Sequence, residues 1–246
     1  MELFFLAGSR PVAGNVIFDG AEAHHISRVL RHQPGDRIYA TDGLGAEYEL
    51  ELRRVEPARV IGAILSSRFR PREPGCRLTI APGIIKGDRL RRVVEGITQL
   101  GVSEVIPLRT RRTVAGLSEK RLDRLRKVAV GAMKCSTRTV LPRICDAMEL
   151  NELANRIGGY DLALVAYEEE QNLGLADVLI PGAESVLLVV GPEGGFEPEE
   201  VNVLVAAGAR CFSMGPRRFR AETAGVVAVA LVLQLLGELG GSKSLS

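Results

Sequence analysis

The sequence contains no tryptophan, and its 246 residues include only three histidines and four cysteines. The cysteines form no C-x-x-C pair, and the histidines, His24, His25 and His32, lie far from all of them. Clustered cysteine and histidine ligands are what a zinc site needs, so the pattern predicts no metal site. Scattered thiols of this kind fit a reducing cytoplasm.

The chain also lacks a strong charge bias and a long hydrophobic run. Its 32 Lys and Arg against 30 Asp and Glu give a net charge of +2, so any basic surface must come from local clustering. The N-terminus has no basic segment followed by an apolar stretch, which predicts no secretory signal. The apolar run 224–236 is shorter than the roughly 20 residues that span a bilayer, and it predicts a buried helix.

The first 66 residues alternate short apolar segments with turns, which is typical of a small β domain. An apolar stripe predicts one helix within it, over 21–31. Strands are predicted over 3–6, 16–18, 37–40, 47–52 and 60–65. The segment 66–75 is polar and basic and contains two prolines, so it predicts a linker between domains at 1–70 and 74–246.

Beyond the linker, apolar strands alternate with longer amphipathic segments. This alternation predicts an α/β fold with a mainly parallel sheet. Strands are predicted over 78–81, 104–107, 162–166, 186–190 and 210–213. Helices are predicted over 88–100, 119–134, 149–156, 198–207 and from about residue 222.

A glycine-rich motif, GPEGGF at 191–196, follows an apolar strand and precedes a helix that starts with Pro198. Ligands bind at such strand ends in α/β folds. The motif is neither G-x-G-x-x-G nor a GK[ST] loop, and four glutamates around the helix start disfavour phosphate. A neutral or cationic ligand fits the loop, and a tight turn before a well-capped helix is the alternative.

A second motif, MGPRRFRAETA at 214–224, also lies between a strand and a helix. Three arginines within four residues favour contact with phosphate or carboxylate. The alternative is structural: Glu222 pairs with an arginine and Thr223 helps to cap the last helix.

Together the two motifs resemble the 16S ribosomal RNA (uracil-1498-N3) methyltransferase family of the SPOUT superfamily. HISRVLR at 25–31, KGDR at 86–89, QLGV at 99–102 and IPL at 106–108 also resemble that family, so the likeness runs from about residue 4 to 235. One departure lies at Arg218 and Phe219, where the family has an aliphatic pair.

The resemblance implies a PUA-like β-barrel domain followed by a trefoil-knotted α/β domain that binds S-adenosylmethionine and forms a homodimer. It implies methylation of N3 of a uridine in 16S ribosomal RNA, with rRNA processing in the cytoplasm as the setting. The alternatives are a methyltransferase with another RNA target and an inactive RNA-binding factor in ribosome assembly.

By position, the resemblance also implies a cofactor site built from three strand-end loops. Its predicted residues are Ala166, Val190, Gly191, Pro192, Glu193, Gly194, Gly195, Met214, Gly215, Arg217, Arg218, Phe219 and Thr223. N3 of uracil must lose a proton before it accepts a methyl group, so a carboxylate and a cation are expected beside it. The candidates are Glu193 or Glu222 as proton acceptor and Arg220 or Arg217 as the cation that stabilises negative charge.

Local basic groups are the candidate RNA contacts, because RNA phosphates attract clustered Lys and Arg. The predicted RNA-binding residues are Arg10, His25, Arg28, Arg31, Lys86, Arg89, Arg109 and Arg111. A further basic run on the helix predicted over 119–134 is interpreted as a solvated face; it comprises Arg121, Arg124, Arg126 and Lys127.

Overall fold

A computed structural model of the chain describes residues 2–8 and 11–240. Contacts between Cα atoms divide these residues into two compact units. The first unit comprises the described residues up to Glu73 together with Val130–Leu141, and the second comprises Pro74–Ala129 and the described residues from Pro142 onward. The segment Val130–Leu141 thus groups with the first unit, although the sequence-based boundaries assign it to the second domain.

The described part of the first unit contains a five-stranded sheet in the order β1-β3-β4-β5-β2. The strands are β1 Leu3–Phe5, β2 Asn15–Asp19, β3 Arg37–Thr41, β4 Ala46–Val55 and β5 Arg59–Phe69. Strand β1 runs parallel to β3, and the remaining pairs are antiparallel. Alternate apolar side chains such as Phe4, Phe18 and Leu50 point into one core, as period-2 patterning requires.

The helix predicted over 21–31 differs from its expected form. Helix α1 spans Gly20–His24, and a π-helical turn continues it over His25–Val29. Arg31 then adopts a left-handed conformation with φ +59°. The His32 amide donates to the Ile26 carbonyl at 3.0 Å, which closes this wide final turn.

The predicted linker also differs from its expected form, because β5 continues through its first residues to Phe69. Two of the basic side chains here are ion-paired: Arg68 and Arg72 both pair with Glu47 of β4, whose side chain is 1% exposed. Glu73 pairs in turn with Arg138 at 2.6 Å. Ion pairing explains why a polar segment continues the strand.

The described part of the second unit contains a six-stranded parallel sheet in the order β13-β11-β12-β6-β7-β9. Its strands are β6 Arg77–Pro82, β7 Glu104–Val105, β9 Arg143–Ile144, β11 Leu162–Ala166, β12 Ser185–Val190 and β13 Arg210–Phe212. Two short strands, β8 Leu108–Arg109 and β10 Met148–Glu149, pair with each other. This parallel α/β architecture confirms the fold class expected from the alternating pattern.

The helices of this unit follow the strands much as the periodicity predicts. They are α2 Arg89–Leu100, α3 Glu119–Cys135, α4 Leu150–Ala154, α5 Leu175–Val178, α6 Pro198–Ala206 and α7 Ala221–Leu235. The last six residues of α3, from Val130, belong to the first unit. Helix α7 is buried along Ala224, Ala228 and Val232, which confirms the prediction for the apolar run. Of the helices in residues 2–8 and 11–240, none is both long enough and apolar enough to span a membrane.

Candidate functional site

Three neighbouring strands of the parallel sheet end in one row. Ala166 of β11 lies opposite Val190 of β12 on one side and Phe212 of β13 on the other. The loops 167–174, 191–197 and 213–220 therefore begin side by side at the carboxyl edge of the sheet, where α/β proteins bind ligands. The structure thus brings together the three loops that the sequence predicts as a cofactor site.

The glycine-rich loop after β12 packs too closely against its neighbours to carry side chains. A Cβ atom on Gly83 would overlap the backbone of Pro192, and one on Gly195 would overlap the Glu168 carboxylate. Gly195 also has φ +69°, which favours glycine. The Gly83 amide donates to the Val190 carbonyl at 2.7 Å, so two strand-end loops lie in direct backbone contact. Packing against backbone thus excludes a side chain at Gly83, and the backbone conformation favours glycine at Gly195.

Glu193 at the tip of this loop has two donors. Its Oε1 accepts a hydrogen bond from the Lys86 amide at 3.0 Å and another from Arg89 Nη1 at 3.2 Å. A carboxylate bound in this way is a tether between the loop at 83–88 and the loop at 191–197. Oε1 of Glu193 is therefore already engaged by two donors of the loop at 83–88 and helix α2.

Arg112 fastens the other side of the same loop. Its Nη1 donates to the Gly194 carbonyl at 2.6 Å, and its Nε donates to Glu197 at 2.7 Å. The hydrogen bond from Arg112 is the main cause that lowers the pKa of the Glu197 carboxyl, so Glu197 stays ionised at neutral pH. Sequence analysis did not place Arg112 in the site, because a contact with a distant carbonyl leaves no local pattern.

The acidic start of α6 is a capping arrangement. Glu200 is 5% exposed, and its carboxylate accepts hydrogen bonds from the amides of Glu197 at 2.9 Å and Arg111 at 2.8 Å. Together with Pro198 in the first turn, this forms a capping box. The well-capped helix that the sequence left open is therefore present beside the loop.

The loop 213–220 carries the second motif and is held mainly through its backbone. The Ser213 amide donates to the Leu173 carbonyl at 2.8 Å, and Gly215 has φ +95°. The side chains of Arg217, Arg218 and Arg220 are exposed, and no hydrogen bond or ion pair to another described residue involves them. They are available to bind an anionic ligand.

Glu222 lies in the first turn of α7 and has a different environment from Glu193. Its Oε2 is buried, and no described residue donates a hydrogen bond to it. The expected alternative, an ion pair between Glu222 and an arginine, does not occur among the described residues. A buried carboxylate oxygen without a donor is costly, so a hydrogen-bond donor supplied by a ligand would stabilise it.

The predicted RNA-binding residues fall into two groups. In the first unit, Arg28 and Arg31 are exposed and have no ion pair among the described residues. The ring of His25 packs instead against the ring of Phe4, with 6.0 Å between the two ring centroids. Arg10 lies outside the described residues.

In the second unit most of the predicted RNA contacts already have acidic partners. Arg89 pairs with Glu193 at 3.2 Å. The other pairs are Arg109 with Glu149 at 3.2 Å and Arg111 with Glu199 at 3.4 Å. The pairs of Arg109 and Arg111 are exposed and therefore weak, so these two side chains can still turn to phosphates. The Lys86 side chain is exposed, and only its backbone amide is engaged with Glu193.

The three loops fit S-adenosylmethionine in their chemistry. Backbone groups of glycine-rich loops can approach and hydrogen-bond an adenine edge. The carboxylates of Glu168, Glu193 and Glu197 suit a cationic sulfonium. Among residues 2–8 and 11–240, no group of three or more His, Cys, Asp and Glu is arranged to hold a metal ion.

Comparison with known proteins defines the class. Residues 71–233 match the model of an RNA methyltransferase domain, and residues 18–65 match that of an RNA methyltransferase PUA domain. The chain therefore belongs to the RNA methyltransferase family with an N-terminal PUA domain. The predicted resemblance and activity class are confirmed.

Individual relatives are more specific. Ribosomal RNA small subunit methyltransferase E of Bacillus subtilis is 32% identical over 223 residues, which cover 87% of each chain. The crystal structure of the Neisseria gonorrhoeae protein of the same name, bound to S-adenosyl methionine, superposes with a TM-score of 0.86 at 25% identity, covering 96% of this chain and 98% of that one. A probable rRNA-methyltransferase from Porphyromonas gingivalis gives a TM-score of 0.83 at 28% identity, with 96% and 99% covered. These matches confirm the SPOUT-type fold class.

Proposed function

We propose that this chain transfers a methyl group from S-adenosylmethionine to N3 of a uridine in 16S ribosomal RNA, at position 1498 by family resemblance. The observation that carries the proposal is the meeting of loops 167–174, 191–197 and 213–220 at one sheet edge of an RNA methyltransferase domain. Relatives named for small-subunit rRNA methylation support the substrate, and the S-adenosyl methionine in the Neisseria structure supports the cofactor.

The backbone of the three loops forms the cofactor site in this proposal. The predicted residues around Ala166, Val190 and Gly215 contribute strand-end backbone, and the interactions of Arg112 and Arg89 hold the glycine-rich loop closed around it. When bound, S-adenosylmethionine supplies a methyl group on a positively charged sulfur. The surrounding carboxylates stabilise that charge.

The reaction also needs a proton acceptor for N3 of uracil, and the geometry favours Glu222. Glu193 is already hydrogen-bonded to the Lys86 amide and to Arg89, whereas Glu222 Oε2 is buried without a donor. Glu222 would take the N3 proton and so leave a lone pair on N3 to accept the methyl group. S-adenosylmethionine would supply that group, with its S–CH3 bond broken and the neutral thioether S-adenosylhomocysteine released. Arg220 or Arg217, both free of acidic partners among the described residues, stabilises the negative charge on the uracil oxygens.

The RNA reaches this site through phosphate contacts on both units. Arg28 and Arg31 serve the first unit, and the exposed side chains of Lys86, Arg109 and Arg111 serve the second. We also propose that the protein acts in the cytoplasm as a homodimer on the small ribosomal subunit. The family resemblance supports each of these points.

The alternatives are less favoured. An inactive ribosome-assembly factor is disfavoured because the curated relatives are named as methyltransferases. Another RNA target is the main remaining alternative for the substrate.

Mapping of methylated nucleotides in rRNA tests the proposal directly. Cells without the gene should lose one N3-methyluridine in 16S rRNA, and the intact gene should restore it. A Glu222→Gln copy should fail to restore the mark while still binding S-adenosylmethionine in calorimetry. Retention of the mark in the deletion strain would reject the substrate, and full activity of Glu222→Gln would reject the proton acceptor.

A further inference from the structure

Arg121 lies on helix α3, in a basic run that the sequence predicts to be a solvated face. The structure places it differently. Its Nη2 donates to the Ile85 carbonyl at 2.6 Å and to the Gly87 carbonyl at 2.7 Å, and its Nη1 donates to the Gly116 carbonyl at 2.9 Å. The side chain is half-buried. A planar guanidinium offers these donors from two nitrogens in a fixed fork, whereas an ammonium group has its three donors on a single rotatable atom.

The two carbonyls of Ile85 and Gly87 flank a residue with a specific task. The amide of Lys86, between them in the chain, donates to Glu193 Oε1 at 3.0 Å. The Ile85 carbonyl and the Lys86 amide belong to one planar peptide unit, so fixing that carbonyl fixes the direction of the amide, and the bond to Gly87 holds the next part of the loop. Gly87 has φ +64°, and no atom lies within 4 Å of the position that its Cβ would occupy. Packing at that position therefore cannot substitute for the hydrogen bonds from Arg121.

The loop held by Arg121 lies against the proposed cofactor loop. The Gly83 amide donates to the Val190 carbonyl at 2.7 Å. A Cβ atom on Gly83 would overlap the backbone of Pro192. Hydrogen bonds thus run from Arg121 through the loop 83–88 to Glu193 and the loop 191–197. Every residue of this chain of contacts lies in the second unit.

We infer that Arg121 is a positioning residue for the cofactor site, which acts by directing the Lys86 amide to Glu193. The inference rests on the proposed function, because it assumes that the loop 191–197 binds S-adenosylmethionine. Loss of the guanidinium frees the loop 83–88, so binding must first restore the arrangement that Arg121 otherwise maintains. Cofactor affinity falls, and the transfer step changes little once cofactor is bound.

The test compares Arg121→Met and Arg121→Lys with Arg124→Met. Arg124 is exposed on the same helix and has no ion pair among the described residues, so it is a matched control. Both Arg121 variants should raise the Kd for S-adenosylmethionine in calorimetry and its KM by about tenfold, with kcat at saturating cofactor within about twofold. Arg124→Met should match the wild type. Unchanged cofactor affinity in a folded Arg121 variant would overturn the inference, as would an equal loss in Arg124→Met.

A double-mutant cycle with Glu193→Gln tests the route of the effect. If Arg121 acts through Glu193, the double variant should bind cofactor with about the same affinity as the single variant that binds it less tightly. If the fold-losses of affinity in the two single variants multiply in the double variant, Arg121 acts by another route and the inference is overturned.

Hydrogen exchange keeps this test separate from the proposed function. Amides in the peptides covering 83–88 and 191–197 should exchange faster in Arg121→Lys than in the wild type, even without cofactor. If the wild type fails to bind S-adenosylmethionine, both the proposed function and this inference are wrong, even if the amides exchange faster as expected. If the segment 83–88 loosens and 191–197 does not, Arg121 has no positioning role.

Discussion

Gly194 shows how one missing side chain matters at the residue scale. A Cβ atom there would lie 3.1 Å from Cβ and 3.2 Å from Cδ of Arg112. Gly194→Val should therefore displace Arg112 from its bonds to the loop and weaken S-adenosylmethionine binding about tenfold or more, which corresponds to about 1.4 kcal/mol. Calorimetry measures the Kd.

Gly158→Val is the matched control for this substitution, because no atom lies within 4 Å of the Cβ position at Gly158. It should retain wild-type affinity. Wild-type affinity in a folded Gly194→Val protein would contradict the placement of the cofactor in this loop.

Glu197 provides a pH-dependent prediction. The hydrogen bond from Arg112 holds the pKa of this carboxyl below its usual value of 4.5. Because the folded-state pKa is depressed, the stabilisation is complete above the usual pKa and is lost as the pH falls through the folded-state pKa. The difference in free energy of unfolding between the wild type and Arg112→Met should be constant near neutral pH and should shrink below about pH 4.5.

Urea unfolding at a series of pH values measures this difference. In a Glu197→Gln background the effect of Arg112→Met should no longer depend on pH, although the bond to the Gly194 carbonyl still contributes. A difference that grows on acidification would show that Glu197 is not the partner responsible.

At the scale of elements, the sequence predicted most helices and strands of the second unit. Apolar residues repeat every 2 residues in a strand and every 3.6 residues in a helix, and the two patterns are easily distinguished in segments as long as these. It missed features that depend on distant partners. Ser66 and Arg68 read as linker residues, yet each bonds to a glutamate of β4 across the sheet. The π-helical turn over His25–Val29 has no local signal at all.

That π-helical turn carries Arg28, and Arg31 follows two residues after its end. Combined Arg28→Ala and Arg31→Ala should weaken RNA binding and lower the slope of its salt dependence by about 0.7 per lost phosphate contact. Alanine keeps a Cβ atom at the φ +59° position of Arg31, so the backbone strain there is unchanged. Filter binding at several salt concentrations measures the slope, and cofactor affinity should not change.

Two comparisons sharpen this experiment. Combined Arg124→Ala and Lys127→Ala removes the same charge from α3 and should leave the slope nearly unchanged. Arg220→Ala should reduce the single-turnover rate with saturating RNA more than it reduces RNA affinity. If the Arg28 and Arg31 variant loses only the chemical rate, the proposed roles of these residues are wrong.

At the scale of the whole molecule, the sequence predicted which loops meet but not what holds them. Parallel strands end at a common edge, so the strand-end motifs could be placed together from the chain pattern alone. Arg121 and Ile85 are 36 positions apart, and Arg112 and Gly194 are 82 apart. Such contacts depend on tertiary packing, which no local pattern encodes. The roles of the site residues and the two-domain boundaries stay predictions.

The proposed homodimer is the prediction at the largest scale. One face of α7 is buried within the chain, but Val227 and Leu231 are only half-buried and Leu235 is 47% exposed. These residues lie four positions apart, so they form one apolar stripe on the helix. A two-fold interface that covers this stripe places it against its own copy. Light scattering at a protein concentration of about 10 μM should give a mass twice the 26.5 kDa of one chain. At that concentration a dimer with micromolar affinity is mostly assembled.

Leu235→Glu should shift the protein toward the monomer with its fold intact, because each interface would then bury two uncompensated charges. Leu44→Glu is the control: Leu44 is 76% exposed and lies in the first unit, so the same change in charge there should leave the dimer in place. A wild-type mass of 26.5 kDa would reject the dimer. A dimer that persists in Leu235→Glu would mean that another surface than this stripe of α7 forms the interface.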